Sequence, residues 1–369
     1  MAVADLAIPK TQRAIIAVDA IGTLRVVDDA PVNWVGPDEV LVKTVALALN
    51  PVDTKMLAGF AVPGAILGYD FAGIVIAMGS EVSKGYKNIR IGDRVLGTGN
   101  SMDRDRPAAG AFAQYVSLPA ILTLRIPDDM SFTDAACIST ALVCAGLGLF
   151  WSMKVPGSLS SPCPATSAKR RPYVLINGGS TPTGTMALQL LKLSNIPAIA
   201  TCSPKHNELV LSYGAEKVFD YRSPTCAQEI RAYTNNSLAY ALDCITVVST
   251  MKLCYEAIGR AGGRYTALDP FPEAQHTRRV IKPDWILGSA SKGKGSTWPA
   301  PYGRDPEPEA LAFAEDLLNQ AQKHLDSGEI RNHPARVRPG GLTGLLDGIE
   351  SIRRNEVSGF KLVYLVDDV

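Results

Sequence analysis

The chain has 369 residues, 46% of them apolar, and its 37 basic and 36 acidic side chains leave a net charge of +1. That length suits a two-domain enzyme, and the balanced charge offers no footprint for nucleic acid or an acidic membrane surface. The N-terminal residues lack a basic patch followed by an apolar core, and Lys, Arg, Asp or Gly interrupts each later apolar run, so a cytosolic, cytoplasmic protein is expected.

In chain order, the first third reads as β-rich. Ala14 to Val18, Leu24 to Val27, Glu39 to Leu49, Gly73 to Met78, Arg94 to Gly97 and Gly110 to Val116 are short alternating or apolar runs. Turns such as Gly36-Pro37-Asp38, Pro63-Gly64, Gly92-Asp93 and Gly97-Thr98-Gly99-Asn100 punctuate them at the spacing of a compact all-β module. Ser131-Phe132-Thr133-Asp134 has the form of a capping box, and the helix it opens, rich in Ala, Gly and Cys, is expected to run to about Phe150. Val155 to Arg171 reads as a surface connection. From Tyr173 strands and helices alternate, with strands near Lys217 to Phe219, Tyr240 to Ile245 and Arg264 to Leu268. Glu307 to Leu325 is a last long helix, and Gly359 to Val366 a final strand that has to return to the first module.

The most informative stretch runs from Val174-Leu175-Ile176-Asn177 through Gly178-Gly179-Ser180-Thr181-Pro182-Thr183-Gly184 into an amphipathic helix. A strand, a glycine-rich turn and a helix in that order build a dinucleotide site, because the turn's amides and the positive end of the helix dipole face one pyrophosphate. The next strand, Ile196 to Thr201, leads to Cys202-Ser203-Pro204-Lys205-His206, with no carboxylate before Glu208. A 2′-phosphate would meet a hydroxyl, a cation and a helix start there, so NADPH is the expected cofactor. Ser203 has a second possible role, as N-cap of a helix from Lys205 to Tyr213 that Gly214 ends. The seven cysteines are odd in number and form no CxxC pair, which points to reduced thiols.

The order of motifs resembles the medium-chain dehydrogenase/reductase superfamily over essentially the whole chain. The matching pieces are Glu39-Val40-Leu41-Val42-Lys43, Asn50-Pro51-Val52-Asp53, Gly68-Tyr69-Asp70-Phe71-Ala72-Gly73, Gly92-Asp93-Arg94-Val95, Gly110 to Tyr115 and the cofactor turn. The resemblance implies an α/β protein: a GroES-like β-rich catalytic domain, residues 1–135 and 310–369, plus a Rossmann-type doubly wound parallel sheet, residues 136–309. In the alcohol-dehydrogenase branch a catalytic zinc uses a Cys before the Asp of the second piece and a His in the third. Here Pro51 or Val52 and Tyr69 with Asp70 stand at those places, and the four histidines do not cluster, so no metal is expected.

Ser139 to Gly146, Asp220-Tyr221-Arg222, Tyr240 to Ile245, Gly259 to Gly263, Asn332-His333-Pro334 and above all Gly295-Ser296-Thr297-Trp298-Pro299-Ala300-Pro301-Tyr302-Gly303 narrow the resemblance further. They are similar to the stand-alone, trans-acting enoyl reductases of fungal polyketide pathways. This implies NADPH-dependent reduction of an α,β-unsaturated thioester carried by the acyl carrier protein of a partner polyketide synthase. It assigns cofactor contacts to Val52, Asp53, Thr54, Lys55, Ser180, Thr181, Pro182, Thr183, Ser203, Pro204, Lys205, His206, Tyr221, Leu268, Asp269, Val357 and Ser358. Substrate contacts fall to Ser139, Thr140, Ala141, Leu142, Val143, Cys144, Ala145 and Gly146, and to Gly288, Ser289, Ala290, Ser291 and Lys292.

Lys55 and Thr140 are the candidate catalytic residues, Lys55 for the developing charge and Thr140 for a proton relay; an exposed lysine and an ordinary helix residue are the competing readings. Asp70 is expected in a structural place near the cleft. Thr181 departs from the glycine usual in quinone reductases, and its hydroxyl, with those of Ser180 and Thr183, is expected to donate to phosphate oxygens. Lys169-Arg170-Arg171 and Arg278-Arg279 are candidate patches for the carrier protein. The competing functions are a free NADPH-dependent quinone or enone reductase and a non-catalytic NADPH-binding homologue. A monomer is expected, because Arg264 to Leu268, taken as the edge strand, runs into Pro270 and Pro272.

Overall fold

The computed structural model describes residues 8–57, 59–84, 89–164 and 172–366. The chain divides into two compact units, Met1–Thr140 with Leu325–Val369, and Ala141–His324. Both boundaries fall within helices, so the long helix of residues 308–326 belongs almost wholly to the second unit, where a break at 309/310 had been expected.

The first unit opens with β1 (Thr11–Ala17) and β2 (Leu24–Pro31), an antiparallel pair. It continues through β3 (Glu39–Ala48), α1 (Pro51–Lys55), β4 (Asp70–Met78), β5 (Arg94–Thr98), β6 (Tyr115–Pro119), β7 (Leu124–Arg125) and α2 (Phe132–Ala135), and α3 (Ser139–Gly146) leads out of it. The second unit holds β8 (Val174–Asn177), α4 (Pro182–Leu193), β9 (Ala198–Cys202), α5 (Asn207–Ser212), β10 (Lys217–Asp220), α6 (Cys226–Tyr233), β11 (Tyr240–Asp243), α7 (Val248–Ala257), β12 (Gly263–Ala267), β13 (Ile281–Trp285) and α8 (Pro308–Asp326). The chain then returns to the first unit as β14 (Ala335–Arg338), α9 (Gly341–Arg353) and β15 (Lys361–Leu365).

In the first unit β3 is the spine of a mixed sheet ordered β14-β15-β3-β4-β5-β7, with β6 also on β3. Val40, Leu41, Val42, Ala46 and Leu47 are fully buried there, and a strand apolar on both faces must be covered on both. The expected return of the last strand is observed: β15 pairs antiparallel with β3, Val363 opposite Ala48. The strand expected over Gly110 to Val116 begins only at Tyr115. Residues 110–113 are buried by a different device, irregular hydrogen bonds from Ala111 N to Gly68 O (2.9 Å) and Phe112 N to Leu67 O (2.8 Å).

Ser131 caps α2 as its sequence indicates, accepting from Asp134 N at 3.1 Å. The helix does not run evenly to Phe150: Ala136–Ile138 form a turn between α2 and α3, and Leu147–Ser152 widen into a π-helical turn. The helical run Phe132–Ser152 is long and apolar enough to cross a membrane, contrary to expectation, since Gly146 and Gly148 do not interrupt it; most of its most apolar stretch is buried, as befits a core helix. Gly146 lies so close to Leu317 of α8 that a Cβ would overlap that side chain.

The second unit is a six-stranded parallel sheet ordered β10-β9-β8-β11-β12-β13. Its core includes Leu175, Ile199, Ala241, Met251, Tyr255 and Tyr265. β12 is therefore not the edge; β13 pairs beyond it, and the edge strand itself carries Pro283 opposite Tyr265. The surface patches proposed from the sequence change as well. Arg278 spends its guanidinium on the carbonyls of Tyr255, Ile258 (2.8 Å) and Gly259 (2.7 Å), at the end of α7, and Lys169-Arg170-Arg171 lie outside the described residues.

Candidate active site

β8, α4 and the turn between them follow from local chemistry. Gly178 has φ 82°, a left-handed value open to glycine, and a Cβ on Gly184 would run into the Gly178 carbonyl. Thr181 is the N-cap of α4: its Oγ1 accepts from Gly184 N at 3.0 Å and donates to Gly178 O at 2.8 Å. Pro182 fills the first helical position, where no N–H is needed. The expectation that Thr181 donates to phosphate is thereby corrected, since its one hydroxyl proton is already committed. Ser180 and Thr183 make no side-chain hydrogen bond among the described residues, so the donors at this helix start are their hydroxyls and the Thr183 amide, the Gly184 and Thr185 amides being taken by Thr181.

The strand order places a topological switch point between β8 and β11, where successive connections leave to opposite sides and a crevice opens beyond the strand ends. Parallel register sets Cys202 beside Asp220, so Ser203 to His206 and Tyr221 emerge from neighbouring strands at the same edge. Ser203 makes no capping hydrogen bond, and Pro204–His206 form a separate 3₁₀ turn ahead of α5, so the single helix from Lys205 is not observed. Lys205 is exposed; His206 has its pKa lowered by burial and then by the Lys205 charge, leaving Lys205 as the cation. Arg222, which the sequence reading did not assign to the site, lies 5.5 Å from the Tyr221 ring and 3.6 Å from Asp220.

Across the switch point, buried Asp243 ties the loops together. Its Oδ1 accepts from Asn177 Nδ2 (2.9 Å), Ile245 N (3.0 Å) and Thr246 N (3.1 Å), and its Oδ2 from Thr250 Oγ1 (2.7 Å) and Tyr265 OH (2.9 Å). A buried carboxylate is tolerated when its lone pairs are satisfied in this way. Thr246 Oγ1 in turn accepts from Leu268 N at 3.2 Å, and Asp269 accepts from Tyr302 OH at 2.7 Å. Tyr302 thus anchors the Trp/Pro segment to the loop after β12.

The two predicted substrate segments meet in part. Within α3, Ala141, Leu142, Ala145 and Gly146 are buried, whereas Val143 and Cys144 retain exposure. The backbone of Gly288 lies against Cys144, close enough that a Cβ would stand 3.3 Å from Sγ. Gly288, Ser289, Ala290 and Lys292 are half-buried in a 3₁₀ turn, and Ser291 is buried with its hydroxyl on Gly288 O.

In the first unit the candidate residues converge on Asp70, fully buried at the start of β4. Its Oδ1 accepts from Thr140 N (2.8 Å) and Thr140 Oγ1 (2.7 Å); its Oδ2 accepts from Asn50 Nδ2 (2.9 Å) and from Lys361 Nζ. The Thr140 hydroxyl therefore donates to a carboxylate and offers other groups only its lone pairs, which corrects the proton-relay role. Asp53, in α1, accepts from Asn50 N at 2.7 Å through Oδ2, while its buried Oδ1 has no partner. Burial, first, and the charge of Asp70 raise the Asp53 pKa to about 8 against the opposing pull of the Asn50 amide and Lys361. Thr54 donates to Pro51 O (2.7 Å), Val52 is half-buried, and Lys55 is exposed at the end of α1. Ser139 is buried, and Val357 and Ser358 stand in the loop before β15.

Lys361 was missed. It is the charged residue in an otherwise apolar strand, Lys361-Leu-Val-Tyr-Leu, which was a usable signal of a buried partner, though not of which one. The donor set does not suit a metal: both Asp70 oxygens are taken, and among the described residues no group of three or more His, Cys, Asp or Glu side chains is placed to hold an ion.

Residues 36–128 match the alcohol dehydrogenase GroES-like domain family, and residues 182–315 the zinc-binding dehydrogenase family. The chain is 53% identical over 358 residues to trans-enoyl reductase buaC of Petromyces alliaceus, covering 97% of this chain and 98% of that protein. It is 45% identical over 362 residues to the enoyl reductase component lovC of the lovastatin nonaketide synthase of Aspergillus terreus, covering 96% and 97%. Among solved structures, CurK enoyl reductase matches with a TM-score of 0.73 at 17% identity, over 96% of this chain and 99% of that one. Mycobacterial Rv1454c, complexed with NADPH, matches with a TM-score of 0.69 at 20% identity, over 96% of this chain and 100% of that one. The folded units, the turn at the switch point and the chain-long identity place this protein in the medium-chain dehydrogenase/reductase superfamily, among its trans-enoyl reductases.

Proposed function

We propose that this enoyl reductase uses NADPH to reduce an α,β-unsaturated acyl thioester while the chain is carried by the acyl carrier protein of a partner polyketide synthase. The observation that carries the reading is the 53% identity, nearly end to end, with a protein named a trans-enoyl reductase. Bound at the second unit's turn, NADPH would supply a hydride to the β-carbon and leave as NADP+, and a proton from solvent water would complete the α-carbon of the enolate. The residues fit such a group: the glycine turn closes tightly on a helix start, and Ser203, Lys205, Tyr221 and Arg222 offer hydroxyls and cations where a 2′-phosphate would lie.

The protein's task is positioning and charge stabilisation. Lys55 steadies the negative charge that develops on the thioester oxygen, and Thr140, as an acceptor, orients a hydroxyl of cofactor or substrate. Pro283 within β13 withholds an N–H from the outer edge of the sheet, which supports a monomer.

The test adds the protein to its synthase with NADPH. Products should shift from conjugated polyenes to partly saturated chains, and Thr181→Trp, which crowds the turn, should restore the polyenes. A synthase that makes the same saturated product without this protein sinks the reading. Turnover of simple quinones with none of a pantetheine-linked enoyl thioester would favour a free quinone reductase instead.

A further inference from the structure

Asp70 and Lys361 lie 291 positions apart in sequence, yet their side chains are 0% and 1% exposed and in direct contact. Neither serves the fold in an obvious way, since a buried ion pair is often no better for stability than apolar side chains of the same volume. What distinguishes this pair is its other contacts. Asp70 takes the amide and hydroxyl protons of Thr140 and the side-chain amide of Asn50, and Asn50 heads the helix that ends in Lys55.

We propose that Lys361 is a positioning residue for the reaction: its buried ammonium keeps Asp70 a carboxylate, and Asp70 then fixes Thr140 as a hydrogen-bond acceptor and Asn50 at the head of α1. The inference rests on the reductase reading of Thr140 and Lys55 given above. Its logic is directional. A hydroxyl has one proton, and a charged Asp70 claims it; a neutral Asp70 would carry a proton of its own and turn the Thr140 hydroxyl around. The titratable groups around the pair are Asp53 of α1 and Cys137, just after α2, which also feels the charge of Asp134. Burial holds Asp53 as a neutral acid and pushes the Cys137 thiol up to about 12, so Lys361 and Asp70 balance each other's charge.

The experiment measures kcat on a pantetheine-linked enoyl thioester, melting temperature, and hydrogen exchange at the Thr140 amide. Lys361→Met should lower kcat at least tenfold. Lys361→Met with Asp70→Asn should recover the melting temperature while kcat stays low and Thr140 exchanges faster. Thr140→Val should cost at least tenfold in the native background and under threefold in that double variant, the non-additivity expected of one network. Recovery of kcat together with melting temperature, or an equal cost of Thr140→Val in both backgrounds, overturns the proposal.

Should the methionine variants fail to fold, Lys361→Arg carries the test. It should keep the Thr140 amide slow, and full kcat with a fast-exchanging Thr140 amide overturns the proposal. If the native protein does not turn over the thioester, the reductase reading fails. Thr140 exchange in the double variant then decides this inference alone: unchanged exchange overturns it.

Discussion

The carboxyl edge of the second unit's sheet and the buried cluster of the first unit do their work by opposite means. At the sheet edge, backbone register brings the first residues beyond four strands, Ser203, Tyr221, Gly178 and Leu268, to the same side. In the cluster, no register suffices: Asn50, Asp70, Thr140 and Lys361 come from four separated segments and are held by side-chain hydrogen bonds around one carboxylate. The sheet edge therefore tolerates exchange of single side chains, with losses confined to the contact removed. The cluster does not, since each member satisfies a buried group on another.

The largest effects are expected in the cluster. Lys361→Met strands a buried carboxylate and should lower the unfolding free energy by about 3–5 kcal/mol, read from urea denaturation. Asp53 adds a pH signature. Its pKa rises from 3.8 to about 8 on folding, so the folded state holds a proton that the unfolded state releases between those values. Its contribution is fully present below pH 4, declines as pH climbs toward 8, and then levels off. Asp53→Asn should remove that decline from a series of melts between pH 4 and 8; an unchanged slope would assign it to other groups.

At the sheet edge the losses should be smaller and selective. Lys205→Ala should weaken NADPH by about tenfold to a hundredfold, the worth of one charge-assisted bond of roughly 1.5–3 kcal/mol, and leave NADH unaffected. Equal weakening of both cofactors in a fluorescence titration would remove Lys205 from the 2′-phosphate. Thr181→Ala should cost about 1 kcal/mol of stability as a lost cap while NADPH affinity changes little. Thr181→Asp, which caps equally well, should instead repel the pyrophosphate. Smallest of all is the oligomeric outcome: light scattering should give a mass near 39.3 kDa, and twice that value would show that Pro283 does not close the edge.

What could be read from the sequence follows the same division. The strand, glycine turn and helix at Val174 to Lys192 are contiguous, so their order was legible, as was the cap at Ser131. The return of β15 to the first module was legible as a strand without a home. Register and direction were not. Thr181 reads as a phosphate donor until its hydroxyl is seen to cap α4, and Ser203 keeps a second reading, as a cap, until its hydroxyl is seen to make no capping bond. Arg278 reads as surface charge until its guanidinium is found on three carbonyls. Lys361 was hidden because a single sequence records no pairing across 291 positions.

The second unit is one uninterrupted stretch, whereas the first is written in two pieces on either side of it. During synthesis the parallel sheet has all its strands once residue 285 has emerged, and it can nucleate on its own contacts. The half-built mixed sheet must wait for β15 to cover β3 and deliver the Lys361 ammonium to Asp70. Until then Asp70 lacks its buried cation, which makes closure of the mixed sheet the step of highest contact order in assembly.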